Sequence, residues 1–215
     1  MNPIKNQEAK LYVVSAPSGA GKTTLVRALL DKVPNIKFSI SYTTRQARPG
    51  EVDGEDYYFI SPDEFRQKIT QGDFLEHAEV FDNYYGTEKH QVKQELESGQ
   101  NVLLEIDWQG AEQIRNAWPE CVSIFILPPS LTELERRLRT RQTDSEAVIQ
   151  RRLLDSVSDI HHWPDFDYVV INDELESALE DFCQIICGNN QKNLADNPSM
   201  LLLIATKGFS VDSDE

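Results

Sequence analysis

Ten consecutive residues, Ser15-Ala16-Pro17-Ser18-Gly19-Ala20-Gly21-Lys22-Thr23-Thr24, have the composition of a phosphate cradle. They lie between an apolar run, Leu11-Tyr12-Val13-Val14, and a helix-prone run, Leu25 to Leu30. Strand, glycine-bearing loop, Lys-Thr and helix is the layout of a P-loop. Small residues let backbone N–H groups curve around an anion, and the helix that follows points its positive dipole end at the same place. Lys22 can reach the outer phosphates of a nucleoside triphosphate, and the Thr23 hydroxyl can hold magnesium. The strict pattern opens on Gly, where this chain has Ala16.

A second set of anion-binding residues comes later. Arg45 and Arg48 lie three apart on a loop with Pro49-Gly50, beside Ser41, Thr43, Thr44 and, further on, Tyr57. Two guanidinium forks make a clamp for a phosphate group. Solvated surface arginines are the plain alternative, and the P-loop upstream favours the clamp. Two phosphate sites point to a phosphate moved between two ligands. Glu76, after Asp73-Phe74-Leu75, can accept two N–H bonds at once. A guanine edge offers that pair and an adenine edge does not; an ordinary strand-end carboxylate is the competing reading. Glu105 and Asp107 end an apolar run, where P-loop proteins place the carboxylate of a magnesium shell. Arg137, Arg139 and Arg141 precede a segment carrying Arg151 and Arg152, a density that suits a flap over transferring phosphate. For Arg136 and Arg139 an ordinary basic helix face is the better reading. His77, His90, His161 and His162 have no metal or catalytic spacing.

These residues need elements to position them. Leu11–Val14, Asn101–Asp107, Val122–Leu127 and Tyr168–Ile171 read as buried strands, alternating with helical patterns. That alternation predicts a parallel sheet with helices on both faces. Ile36 to Tyr85 has another rhythm. Ile36–Ser41 alternates at period two, Tyr57–Ile60 and Phe74–Phe81 read as short strands, and Tyr84–Thr87 as a turn or strand end. This stretch is expected to be an inserted α+β lobe. Ser61-Pro62-Asp63-Glu64 opens a helix with a capping box and Gly72 closes it. Ser130 to Glu133 opens another the same way.

The 215 residues suit one core domain with insertions. No apolar run approaches a membrane span, and a soluble cytoplasmic protein is expected. A net charge of -15 argues against a broad nucleic-acid surface but leaves room for a local basic pocket. Residues 161–215 hold 11 acidic residues and two basic ones, Lys192 and Lys207. Cys121, Cys183 and Cys187 make no disulfide framework and read as small apolar residues. The stretch after Gly188 looks like an acidic tail. Its apolar patch, Met200 to Ala205, could dock on the core, pair as a strand or mediate self-association.

Taken in order, the P-loop, Ser41-Tyr42-Thr43-Thr44-Arg45-Gln46-Ala47-Arg48-Pro49-Gly50-Glu51, Asp56 to Phe59, Phe74-Leu75-Glu76, Asn83 to Thr87, Glu105 to Gly110, Phe125 to Ser130 and Asn172-Asp173 resemble the guanylate kinase family, over about residues 10 to 187. The resemblance implies a P-loop NTPase fold, a three-layer α/β/α core with an inserted GMP-binding lobe and a helical lid. It divides residues 1–187 into core (8–36, 88–130, 164–187), lobe (37–87) and lid (131–163), and implies nothing for 188–215. It implies transfer of the ATP γ-phosphoryl to GMP with magnesium. By motif, Ala16 to Thr24, with Arg141 and Asn172, would bind ATP. Ser41 and Glu76 would hold the guanine with Thr87 and Asp107 beside them, Gly86 would belong to the GMP site, and Arg45, Arg48, Tyr57 and Tyr85 would hold the GMP phosphate. Lys22, Arg45, Arg137, Arg141 and Arg152 would serve catalysis, with Thr23 and Glu105 on the metal. The expected partners are the substrates ATP and GMP, with no nucleic acid and no membrane; self-association is left open. An inactive module that binds a protein partner is the competing reading. Its mark would be loss of the P-loop lysine or the arginine clamp, and Lys22, Thr23, Arg45 and Arg48 are all present. A kinase with another phosphorylated acceptor is a third reading, opposed by Ser41 and Glu76.

Overall fold

A computed structural model describes residues 9–140, 146–188 and 190–209. The elements are β1 (Leu11–Ser15), α1 (Lys22–Lys32), β2 (Ile36–Phe38), β3 (Tyr42–Thr43), β4 (Tyr58–Phe59), α2 (Pro62–Gln71), β5 (Phe74–Val80), β6 (Asn83–Glu88) and α3 (Lys89–Glu97). They continue with β7 (Asn101–Glu105), α4 (Trp108–Ala117), β8 (Val122–Leu127), α5 (Leu131–Thr140), α6 (Glu146–Ile160), a short 3-10 turn (Trp163–Asp165), β9 (Tyr168–Ile171), α7 (Leu175–Ile186) and α8 (Pro198–Thr206). The chain divides into two compact units. One comprises residues 1–13, 35–104 and 109–122, the other 14–34, 105–108 and 123–215.

The larger sheet has the order β2-β7-β1-β8-β9, with parallel pairing of β2 to β7 and of β8 to β9. All five residues of β1 are buried, as are Ser123 to Leu127 of β8, so these strands lie in a parallel core covered on both faces. From β1 the chain passes through α1 toward the β2 edge. From β8 it passes through α5 and α6 toward the β9 edge. Right-handed crossovers running in opposite directions put their helices on opposite faces. Such a reversal is a switch point, where open α/β sheets gather ligands at the C-terminal ends of their strands. The glycine loop leaves β1 at that end, and Glu105 closes β7.

The second sheet has the order β4-β3-β6-β5. Of the run Ile36–Ser41, expected as one strand, only Ile36–Phe38 forms one, pairing with β7; the next strand, Tyr42–Thr43, starts just past the run and pairs with β4 and β6. Alternation at period two looks the same in either sheet, so it does not show where a chain changes sheets. Asn83–Glu88, expected over Tyr84–Thr87 as a turn or strand end, is a full antiparallel strand. The turn sits earlier, at Phe81 and Asp82, both with positive φ (50° and 62°). Hairpin turns of this hand favour Gly or Asn, which is why Phe-Asp did not signal one. α2 forms with its capping box and Pro62 in place, and Gly72 closes it at φ 72°. Its single buried residue, Phe65, stacks on Phe74 at 4.5 Å and on Tyr84 at 5.5 Å. Gly86 leaves room for these rings: a Cβ there would lie 3.0 Å from both Phe65 and Phe74.

After α7 the chain turns back on itself. The Val169 N–H donates to the Asn193 carbonyl (2.8 Å), the Asn193 amide donates to the Val169 carbonyl (2.8 Å), and the Ala195 N–H donates to the Asp167 carbonyl (3.0 Å). This segment covers the outer edge of β9. The patch 200–205 belongs to a helix that docks on its own chain, burying Met200 and Ile204 and exposing Leu201, Leu202 and Leu203. Cys121 is buried, Cys183 half-buried and Cys187 exposed. Among the described residues no helix is long and apolar enough to cross a membrane.

Phe65→Ala removes the ring at the centre of the aromatic cluster and should cost about 3–5 kcal/mol. The urea midpoint should fall at unchanged m-value; a loss under about 1 kcal/mol would mean that the cluster does not support the smaller sheet.

Candidate nucleotide and phosphate site

The glycine loop is shaped by two residues in the left-handed region, Gly19 (φ 90°) and Gly21 (φ 93°). Gly21 precedes α1 as its N-cap without a side-chain hydrogen bond, and the first turn holds no acidic residue. The leading N–H groups of α1 therefore have no intrahelical partner and no acid within their own turn to compete for them, as suits an anion site. The loop's carbonyls are used elsewhere. Pro17 O accepts from the Ala20 N–H (3.2 Å), Ser18 O from the Ser156 hydroxyl (3.1 Å), and Gly21 O from the Leu25 N–H (3.1 Å). Ala20 O accepts from the Asn172 amide (2.7 Å) and from Arg137 Nη1 (3.3 Å). Arg137 Nη2 also donates to Asn172 O (3.1 Å), and its Nε to Glu133 (2.8 Å). Any Cβ at Gly21 would collide with the Asn172 amide nitrogen.

Beside the loop, the Thr23 hydroxyl donates to a Glu105 carboxylate oxygen at 2.6 Å, so the two expected metal ligands meet. The Lys22 ammonium donates to Ile106 O at 2.7 Å. One residue past Asp107, the Trp108 indole N–H donates to Asp159 Oδ1 (3.0 Å), and its ring lies flat on His162 at 3.6 Å between centroids. Burial pushes the Asp159 carboxyl from 3.8 up to about 6. The charges of Asp107 and Asp155 add to the rise, and the Trp108 N–H and Lys22 oppose it.

In the other unit, strand register builds a row of polar side chains. Glu76 of β5 stands opposite Thr87 of β6, and Tyr42 of β3 opposite Gly86, which carries Ser41 to the level of Thr87. Ser41, Thr87 and Glu76 are all buried, and the Thr87 hydroxyl donates to Glu76 at 2.6 Å. The clamp loop is folded around Glu51. Arg45 Nη1 and Nη2 donate to its carboxylate at 3.0 and 2.9 Å, and the Arg48 N–H donates at 2.7 Å. Burial raises the Glu51 carboxyl; Arg45 and the Arg48 N–H outweigh it and hold the group below its ordinary value. The Arg45 guanidinium lies 5.3 Å from the Tyr57 ring centre, and Tyr57 meets Tyr85 edge-on at 6.0 Å. The Arg48 residue is exposed.

The structure thus joins Lys22, Thr23, Glu105, Arg137 and Asn172 around the loop, and Ser41, Glu76 and Thr87 in the row. Arg45, Tyr57 and Tyr85 form the clamp wall. Arg136 pairs with Glu133, and Arg139 with Glu135 and Glu146, as expected of a basic helix face. Arg152 on α6 is half-buried, and Arg141 lies outside the described residues. Sequence reading missed Ser156, Asp159 and the part played by Glu51. Only Glu51 left a trace, as the acid three residues after Arg48 across a Pro-Gly turn.

A strand, glycine loop and Lys-Thr helix at the switch point of a parallel sheet define a P-loop nucleotide-binding protein. A family model described as guanylate kinase matches residues 8–188. The chain is 56% identical over 181 residues to the guanylate kinase of Hydrogenovibrio crunogenus, covering 84% of this chain and 88% of that one. It is 54% identical over 176 residues to the guanylate kinase of Methylococcus capsulatus, covering 82% and 86%. The crystal structure of guanylate kinase from Anaplasma phagocytophilum is similar with a TM-score of 0.72 at 34% identity, covering 95% of this chain and 97% of that one. The chain belongs to the guanylate kinase family.

Two outcomes follow from this geometry. Gly21→Ala should lower ATP affinity by at least about tenfold, since it strains the loop and displaces the Asn172 amide. Calorimetric titration checks it; unchanged affinity would show that the loop tolerates a Cβ. Asp159 is harder to ionise folded than unfolded, so its contribution to stability is present below about pH 4 and lost as pH rises through about 6. Urea midpoints at several pH values should show Asp159→Asn gaining on the wild type by roughly 1–2 kcal/mol across that window, after allowance for partial exposure. Parallel pH profiles would remove the shift.

Proposed function

We propose that the protein transfers the γ-phosphoryl group of ATP to GMP, giving ADP and GDP. The observation that carries this reading is the row of buried Ser41, just before β3, Thr87 of β6 and Glu76 of β5. A buried carboxylate there matches the N1–H and exocyclic amine of guanine, and an adenine edge would leave it without those donors. Asp107 and Gly86 complete the acceptor set by motif. Arg45, Arg48, Tyr57 and Tyr85 serve the acceptor phosphate, and Glu51 holds the Arg45 fork in plane until that phosphate arrives.

On the donor side, Ala16 to Thr24 wrap the triphosphate, and Asn172 is assigned to the adenine side, as Arg141 is by motif. Lys22 exchanges the Ile106 carbonyl for phosphate oxygens. Thr23 and Glu105 offer two hard oxygen donors side by side and fit a magnesium ion, which when bound neutralises charge on the β- and γ-phosphates. The attacking group is a phosphate oxygen already ionised at neutral pH, so no side chain has to take a proton from it. Catalysis rests on in-line alignment and on positive charge from Lys22, Arg45, Arg137, Arg141 and Arg152. We assign residues 37–87 to the acceptor lobe and 131–163 to the arginine-bearing lid. The substrates are small molecules, and the acidic chain is assigned to the cytoplasm.

A coupled ADP-release assay with ATP, magnesium and a panel of nucleoside monophosphates tests the reading. GMP should be the best acceptor by a wide margin; activity with none of them would favour the inactive binding module. Lys22→Ala should lower turnover at least about a hundredfold. Glu76→Gln should narrow the preference for GMP over AMP, and unchanged selectivity would remove Glu76 from base reading.

A further inference from the structure

Beyond residue 188, where the family match ends, the chain still reaches the donor corner. The Lys207 ammonium donates to Asp173 Oδ2 at 3.0 Å. Asp173 directly follows Asn172, whose carbonyl and amide hold Arg137 and the loop carbonyl of Ala20. Lys207 is not at a loose end. On one side of it Ile204 is fully buried; on the other Phe209 is buried, with its carbonyl accepting from the Trp163 indole at 3.1 Å. Its own N–H donates to Leu203 O and Ile204 O at the C-terminus of α8, where the helix dipole favours a cation. The Lys207 side chain is 21% exposed and that of Asp173 61%. The lysine is thus held by its surroundings, while the acid faces solvent.

Charge makes this placement consequential. Residues 161–215 carry 11 acidic and two basic residues, and each lysine pairs with an acid: Lys192 with Asp181, Lys207 with Asp173. A polyanion bound beside Asn172 would meet an uncompensated carboxylate if Lys207 were absent. We infer that Lys207 is a positioning residue for the donor nucleotide, cancelling the charge of Asp173 at the rim of the ATP site and steadying the Asn172 corner. This rests on the assignment of Asn172 to the ATP half.

Full-length variants and direct ATP titration test it, with GMP kinetics measured in parallel. Lys207→Glu should weaken ATP binding and raise KM for ATP by roughly threefold to tenfold at about 0.1 M ionic strength, with KM for GMP and kcat within about twofold. The effect should largely vanish at about 1 M, where charges are screened beyond about 3 Å. Lys207→Arg should behave as wild type, and adding Asp173→Asn to Lys207→Ala should restore ATP affinity. Unchanged ATP affinity in Lys207→Glu at low salt would overturn the inference, as would equal loss for ATP and GMP at every salt concentration. If wild type binds ATP but phosphorylates no GMP, the proposed reaction fails, while the ATP titrations still decide the role of Lys207.

Discussion

Everything in the donor half depends on where the glycine loop's carbonyls go. A loop that turns its N–H groups toward an anion must turn its C=O groups away, and each of those needs a donor. Here Pro17 O closes a turn within the loop and Gly21 O starts α1, while Ser18 O and Ala20 O depend on residues far along the chain: Ser156 for the first, Asn172 and Arg137 for the second. The cradle is therefore not a local motif that a strand and helix form unaided. It is held open from behind by α6, by the end of β9 and by α5. Gly21 belongs to the same constraint, because the Asn172 amide fills the space a side chain would need.

The acceptor half solves the opposite problem. In the role proposed for it, Arg45 has to stay open to a phosphate without collapsing into an arbitrary contact. Glu51 gives Arg45 a bidentate partner of the charge and planar geometry such a fork prefers, and the Tyr57 ring limits its tilt. The carboxylate in turn takes the Arg48 N–H, so one acid sets both the guanidinium and the turn that carries it.

Much of this was legible in the sequence, for identifiable reasons. The P-loop, the capping box of α2 and the buried strands depend on contiguous residues, and a contiguous signal survives without the fold. Thr23 and Glu105 were readable as a pair because each sits at the end of its own element. What was not legible lies in pairings across long separations and in conformations that violate residue preference. Nothing near Ser156 marks it as a donor to Ser18, 138 residues away. Phe81-Asp82 adopts a turn usually given to Asn-Gly, so the body of β6 read only as a turn or strand end. Ile36–Ser41 alternates evenly although its strand ends at Phe38 and the next sheet begins at Tyr42. The patch at 200–205 showed hydrophobicity without a period, and only its docking separates buried Met200 and Ile204 from the three exposed leucines.

The covering of β9 bears on how the protein behaves in solution. Tyr168-Val169-Val170-Ile171 is a short run of strong strand formers at the end of its sheet, with no charge of its own. Its free edge would be a template for pairing with another chain, the hazard that edge strands present. Asn193 blocks it by engaging both the N–H and the C=O of Val169, with Ala195 taking the Asp167 carbonyl beside it. Trimming the chain back to the family boundary at 188 would therefore do more than remove an appendage: it would uncover an aggregation-prone edge, so that insolubility after such a cut would reflect strand-to-strand association rather than failure of the core to fold.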